Sequence, residues 1–166
     1  YRIGADTGKA RLLVLDGRYF REPAGAMAQM LGETQWRWLE GELDDVRASG
    51  DEAVFVVSGS QVLPDDTGAD SWAEYPKERR RLFDRLDKLD VPVVFLSGDR
   101  HHAEFSRLEV DGRMYVEATS SGLTHGAFRE TPNRWRVGPL YIGRNFGVVE
   151  LDRKEGRLSA IIDLKR

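Results

Sequence analysis

The sequence predicts an α/β fold, with strands and helices alternating through the first hundred residues and strands alone after that. Three observations carry this expectation. Apolar, β-branched runs of strand length lie at 10–16, 53–57 and 91–96. Stretches with apolar residues at three- and four-residue steps separate them, at 34–48 and 76–89. Beyond residue 103 the helical period disappears, and short strand-like segments are joined by turn signals.

Ala10 to Asp16 reads as a strand with a mostly buried pattern, and 17–32 as a loop holding Pro23 and Gly25. In the helix at 34–48, Trp36, Leu39, Leu43 and Val46 form the apolar stripe, with Arg37, Glu40 and Asp44 opposite. Ser49-Gly50-Asp51 ends it. Ala53 to Val57 is the second strand, and 58–75 is a long Gly-, Asp- and Pro-rich loop of a kind that is usually functional. Pro76 starts the second helix, whose inward side carries Arg79, Leu82, Phe83, Leu86 and Leu89. Strand 91–96 follows. Residues 104–110 and 114–119 flank Asp111-Gly112, a hairpin signal. A loop is expected over 120–143, then a second hairpin, 145–151 and 157–164, around 152–156.

The 166 residues fit one domain or the larger part of one, and 40% hydrophobic residues suffice for a core. A net charge of −3 argues against a general polyanion binder. No run approaches the ~18 apolar residues of a membrane span. Cysteine is absent, so thiolate ligands and disulfides are excluded within these residues. Tyr1 opens directly into polar sequence, and the start of a longer protein is expected upstream.

Ser97-Gly98-Asp99-Arg100-His101-His102-Ala103-Glu104 holds two of the three histidines of the chain. It follows a buried strand, and the carboxyl edge of an open sheet is where such folds bind ligands. Asp and neutral His both ligate borderline divalent or trivalent metals. Asp99 and His101 converge only if the backbone leaves strand geometry, which Gly98 permits. His102 lines the site or faces water. Glu104 either orients the His101 imidazole or begins the next strand as a solvated residue.

Five segments in order resemble the PhoD-type alkaline phosphatases and phosphodiesterases. Leu31-Gly32-Glu33-Thr34-Gln35-Trp36-Arg37-Trp38-Leu39 resembles their LGxxQWxWL helix. Asp16, Arg18 and Arg21 fall in a segment like LDxRxxR, and 97–104 is similar to SGDxHxAE. Glu117 to His125 resembles ExTSSGLTH, and Asn145-Phe146-Gly147 resembles a downstream NFG. The resemblance implies the calcineurin-like metallophosphoesterase superfamily: a two-sheet β-sandwich flanked by helices, apparently only its second half here. It implies a dinuclear or larger centre of Fe, Ca, Mn or Zn ions, with Asp99 and His101 as ligands. His102 and His125 are candidate catalytic contacts, the resemblance placing His125 near the site mouth where a structural loop histidine is the plainer reading; Arg18 is a candidate contact to a small phosphate ester, and Gln61 either faces that site or belongs to a plain loop.

The family's earlier ligand stretches, a Gly-Asp and an Asp-Asp-His, have no counterpart. Gly4-Ala5-Asp6, Asp44-Asp45 and Gly50-Asp51 lie in other contexts. Residues 1–166 therefore resemble the C-terminal part of the catalytic domain, preceded in the same polypeptide by a missing first half. The implied activity is metal-dependent hydrolysis of phosphate monoesters or diesters; the alternative is a non-catalytic, metallophosphatase-like binding domain. The resemblance also implies a periplasmic or secreted protein, with no nucleic-acid or membrane partner.

Other features have plainer readings. Arg18 binds phosphate or pairs with Asp16. Arg79-Arg80-Arg81 belongs to a charged helix, and Asp65 to Asp70 lacks the alternation of a calcium loop. The arginine-rich stretch 128–144 either guides an anionic ester or covers the sheet edge.

Overall fold

The alternating runs of the first half become a parallel sheet. A computed structural model describes residues 1–3, 9–66, 68 and 70–166. The elements are β1 (Arg2–Ile3), β2 (Ala10–Leu15), α1 (Gly32–Ser49), β3 (Ala53–Ser58), α2 (Pro76–Leu86), β4 (Val93–Ser97), β5 (Ala103–Val110), β6 (Arg113–Ser120), β7 (Arg136–Tyr141), β8 (Phe146–Lys154) and β9 (Arg157–Lys165). Seven strands form one sheet in the order β1-β2-β3-β4-β6-β5-β7, and β8 and β9 form a second. Strands β2, β3, β4 and β6 run parallel. Their carboxyl ends therefore share one edge.

Both faces of the large sheet are used. Leu13, Val54, Val56 and Phe95 pack beneath the helices with Trp36, Leu39, Leu82 and Phe83. Ala10, Leu12, Phe55 and Val94 point to the opposite face and meet Val149, Leu151 and Ile162 of the hairpin. The expected α/β class with two stacked sheets and flanking helices is present. The hairpin covers its face only in part. A cavity of about 520 Å³ runs between the sheets beside Val57, Leu96, Val149 and Leu164, and Val14 there is 49% exposed.

The helices show why the LGxxQWxWL segment is written as it is. Gly32 has φ +71°, and a Cβ there would lie 2.9 Å from Cβ of Phe20, so a side chain is excluded twice over. Trp36 is fully buried and its indole N–H donates to Glu78 Oε2 at 2.7 Å; that oxygen also accepts the backbone N–H groups of Met30 and Leu31. One carboxylate thus joins the entry of α1 to α2. Gly50, at φ +69°, ends α1 as expected.

Three boundaries differ from the sequence reading. Helix α2 ends at Leu86 and β4 begins at Val93, because Pro92 restricts Val91 and cannot donate to the ladder. Strand β7 lies inside the expected 120–143 loop; Gly138 and Pro139 hid it, and as an edge strand paired only to β5 it tolerates both. The last hairpin is tighter than expected, with a two-residue Glu155-Gly156 turn at φ +51° and +77° and a ladder reaching Lys154–Arg157. Among the described residues, no helix is long and apolar enough to cross a membrane.

At the amino edge of the sheet, Arg11 is 2% exposed and donates to Asp51 at 2.7 Å, Glu42 at 2.8 Å and Asp45 at 3.0 Å. Nothing in the β2 pattern announced a buried cation. Replacing Arg11 with Met removes this clamp and leaves Asp51 buried with Ser49 as its remaining side-chain donor. Loss of one partner of a buried pair costs about 3–5 kcal/mol. An Arg11→Met variant should lose stability on this scale in urea unfolding; a loss below about 1 kcal/mol would show that the clamp is replaceable.

The Arg triplet is structural, as the plainer reading held. Arg79 donates to the carbonyls of Val62 and Leu63 at 2.7 Å. Arg80 pairs with Asp84 and Asp111. Arg81 pairs with Glu33 and Glu40 over the Trp36 ring.

Candidate functional site

Four turns follow the carboxyl ends of the parallel strands, and they bring together residues far apart in sequence. The turn after β2 carries Arg18, that after β4 carries Asp99 and His101, and that after β6 carries His125. The segment after β3 carries Gln61.

The turn after β2 is built by Asp16, whose Oδ1 accepts the N–H groups of Arg18 and Tyr19 at 2.9 and 3.0 Å. These two bonds hold the Asp16 carboxyl below its ordinary pKa. Gln35 on α1 secures the backbone of Asp16 at both ends: its carbonyl accepts the Asp16 N–H at 2.7 Å, and its amide donates to the Asp16 carbonyl at 2.8 Å. The helix motif and the LDxRxxR segment are thus parts of one structure. The Arg18 guanidinium does not pair with Asp16. Its Nη1 lies 2.7 Å from Asp70 Oδ2 and its Nη2 3.4 Å from Asp99 Oδ1.

The turn after β4 has an uncommon backbone. Asp99 and His101 sit at φ +71° and +56°, in the left-handed region. Asp and His are among the residues that tolerate it, and such strain concentrates at functional sites. The His101 N–H donates to Ser121 Oγ at 2.9 Å. The His101 and His125 rings meet edge to face with centroids 4.1 Å apart. Thr124 Oγ1 lies 3.1 Å from Nδ1 of the exposed His125.

The NFG segment supports that loop. Asn145 Oδ1 accepts from Ser120 Oγ at 2.9 Å and from the Gly122 N–H at 3.2 Å. A Cβ at Gly122 would fall 2.2 Å from Asn145 Nδ2, so only glycine fits.

His102 and Gln61 occupy a different place from the open edge. His102 is fully buried; its Nε2 is 3.2 Å from Glu104 Oε1, and neither ring nitrogen has a well-formed hydrogen bond. Gln61 is also buried, and its amide donates to Glu104 at 2.8 Å and Thr119 at 2.9 Å. The reading of these two residues as direct contacts to an ester is therefore corrected: both face the interior, and Gln61's donor is already engaged. Glu104 is not the orienting carboxylate of His101. It accepts from Gln61, from Asn133 at 2.9 Å and from Arg136 at 2.5 Å, and it faces His102. Burial raises its carboxyl pKa, but the nearby His102 ring and the bonds from Arg136 and Gln61 outweigh burial and bring it down to about 2.

Glu117, from the ExTSSGLTH segment, is a further fully buried carboxylate. It accepts the N–H groups of Val62 and Leu63, the nearest at 2.7 Å, and so fixes the segment after β3. Its burial pushes its carboxyl up.

The sequence reading missed Asp70, Asn133 and the individual role of Arg136. Asp70 stands in the long loop directly before Ser71-Trp72; Trp72 is buried and donates to Ser58 Oγ at 2.9 Å, which anchors this end of the loop. Thr67 and Ala69, which fall in the Asp65 to Asp70 reading, and Gly4-Ala5-Asp6 lie outside the described residues. In the arginine-rich stretch, Arg134 pairs with Asp65 and Arg136 with Glu104, so both help to cover the sheet edge.

Asp99 and His101 offer one hard oxygen and one imidazole at an accessible edge, a donor set suited to Fe, Mn or Zn, with the carboxylate also suiting Ca. No group of three or more His, Asp or Glu side chains among the described residues is arranged to hold a metal ion. The pair thus fits a share of a metal site, and a dinuclear centre needs further donors.

This edge and the layered sheet define an α/β protein that gathers an Asp–His pair and an arginine at the strand ends. A sequence model of the PhoD-like phosphatases matches residues 4–154, and the chain belongs to that family. A solved structure of PhoD matches 93% of this chain at 19% identity, with a TM-score of 0.60, which shows a shared fold. The chain spans 38% of the length of the PhoD chain it matches. Vacuolar protein sorting 29 from Cryptosporidium parvum is a further match, at 14% identity and a TM-score of 0.23, covering 96% of this chain and 98% of that one. No curated protein matches the chain.

Proposed function

We propose that residues 1–166 supply the C-terminal part of the catalytic domain of a metal-dependent hydrolase of phosphate monoesters or diesters. The observation that carries this reading is the placement of Asp99 and His101, in left-handed conformations at the carboxyl edge of parallel strands, with the Arg18 guanidinium beside them. The remaining metal ligands would come from another part of the same polypeptide, which would also cover the open apolar face beside Val14 and Leu96. Family membership supports the class of reaction.

The Asp99 carboxylate and the His101 imidazole would hold metal. A bound ion would polarise the phosphoryl oxygens and lower the pKa of a coordinated water. Arg18 would bind the anionic oxygens of the ester, its fork-shaped donors matching their geometry. His125, exposed beside His101, would hold the proton that the departing alcohol requires. Ser121 and Asn145 fix the loop that presents these imidazoles. Glu104 and Glu117 act at a distance, keeping the segments behind the edge in place. The substrate would be a small phosphate ester, and the setting a periplasmic or secreted one.

The test compares the full-length polypeptide with residues 1–166 alone, on chromogenic phosphate monoesters and diesters. Each is stripped with a chelator and resupplied with Mn²⁺, Fe³⁺, Ca²⁺ or Zn²⁺. The full-length protein should lose activity on chelation and regain it with at least one metal, while 1–166 alone stays near background. Activity that survives complete metal removal would overturn the metal-dependent reading. Parental activity from monomeric 1–166 would overturn the division of the site.

A further inference from the structure

We infer that Asp70 is a positioning residue that aims Arg18 at the ester, with Arg21 as its brace; this rests on the role proposed above for Arg18. Arg21 Nη1 donates to both Asp70 oxygens, at 2.7 and 2.6 Å. Arg18 Nη1 reaches Oδ2 of the same carboxylate at 2.7 Å. The other end of the Arg18 fork, Nη2, is left directed at Asp99, 3.4 Å away. One carboxylate thus receives two guanidiniums and turns the free edge of one of them toward the candidate metal ligand.

The geometry is fixed from both sides. Arg18 and Arg21 belong to one turn, whose backbone is held by Asp16 and Gln35. Asp70 precedes the buried Trp72, whose N–H donates to the Gln61 carbonyl at 2.9 Å. The Asp70 side chain is one-quarter exposed, so its ion pairs are partly shielded from water. Burial raises the Asp70 carboxyl, and the two arginines more than reverse this, so it stays ionised.

Charge gives the arrangement its purpose. Two neighbouring guanidiniums repel each other, and a free arginine at a site mouth samples many rotamers. Asp70 neutralises one of the two charges and leaves a net single positive charge. That residue of charge, carried on an oriented fork, suits a phosphate ester anion. Without Asp70 the fork would lose its aim while the Asp99–His101 pair stayed in place. The expected signature is weaker anion binding with little change in turnover.

The experiment uses the full-length, metal-loaded protein and reads KM for a chromogenic phosphodiester, kcat, and inhibition by inorganic phosphate. Outer positioning partners of this kind typically cost 10–100-fold. Asp70→Asn should raise KM and the phosphate inhibition constant about tenfold, with kcat within about threefold. Asp70→Glu should restore part of the loss. Arg21→Met, which keeps the Asp70 charge but removes the brace, should show a smaller rise and serves if Asp70→Asn fails to fold. The deciding measurement is the Arg18→Ala/Asp70→Asn double variant, which should bind phosphate no more weakly than Arg18→Ala alone. Additive losses, or unchanged phosphate inhibition in Asp70→Asn, would overturn the positioning role and leave Arg18 as a phosphate contact. Unchanged phosphate inhibition in Arg18→Ala would instead overturn the reading of Arg18 itself.

Discussion

Loss of Asp99 or His101 is expected to abolish metal-dependent hydrolysis by the full-length polypeptide, lowering kcat/KM by more than about a hundredfold, since even outer-shell partners cost 10–100-fold. Removing a ligand removes the ion together with whatever it activates. The choice of substitution matters here. Both residues lie at positive φ, where alanine adds strain to the loss of a donor. Asp99→Gly and His101→Gly adopt the same backbone freely and carry no donor, and so separate ligation from folding. Elemental analysis of these variants should show reduced metal with an unchanged unfolding midpoint. Arg80→Ala is the control: its partners Asp84 and Asp111 are half-exposed, and a surface pair contributes about 0–1 kcal/mol. Full metal content in both glycine variants would sink the assignment of Asp99 and His101.

Glu104→Ala is expected to be among the most destabilising single changes in the chain. The carboxylate is fully buried and joins Gln61 from the segment after β3 and Asn133 and Arg136 from the turn into β7, beside its own near neighbour His102. Its removal leaves a largely buried guanidinium without its counter-charge and takes one acceptor from each of two amides, at about 3–5 kcal/mol. Urea unfolding should show this loss with an unchanged m-value, and a cost below about 1 kcal/mol would mean that the network reforms without it.

The same group links stability to pH. Its folded pKa, about 2, lies below the unfolded value of 4.5. The carboxylate form is therefore favoured in the folded state. Its contribution, of order 3 kcal/mol, is present above pH 4.5 and is lost as pH falls toward 2. Glu117 works in the opposite sense: its carboxyl is raised by burial, so its contribution is present at low pH and declines as pH rises through its folded value. Glu104→Gln should flatten the acid limb of the stability profile between pH 4.5 and 2, and an unaltered limb would assign it to other carboxylates.

What the sequence determined by itself was local and periodic. The apolar stripe of α1, the β-branched runs of β2, β3 and β4, the glycine that ends α1 and the Asp111-Gly112 turn are all set by neighbouring residues, and each stands where it was expected. The Gly98-Asp99-Arg100-His101 turn was legible because a strand of readable pattern delivers it to a sheet edge. Membership of the PhoD-like phosphatase family was legible in five short segments, and the structure gives several of them a physical reason, in Gly32 against Phe20, Gln35 on Asp16 and Asn145 under Gly122.

Only the tertiary structure decided which side chains meet. His101 and His102 are adjacent, yet one stands at the accessible edge and the other is buried, because His101, at φ +56°, still belongs to the turn, whereas His102 directly precedes β5 and faces inward beside Glu104. The sequence leaves Glu104 as either a partner of His101 or a solvated strand residue, and the pairing of β5 with β6 and β7 turns it inward to Gln61, Asn133 and Arg136. Asp70 carries no local sign of its role; it acquires one when the loop before Trp72 folds against the turn holding Arg18 and Arg21. Arg11 reads as one polar residue in an apolar strand until α1 brings Glu42 and Asp45 over it. Periodicity specifies the burial of a face, whereas a charge is stabilised by partners from other segments, and those partners are set by how the segments pack.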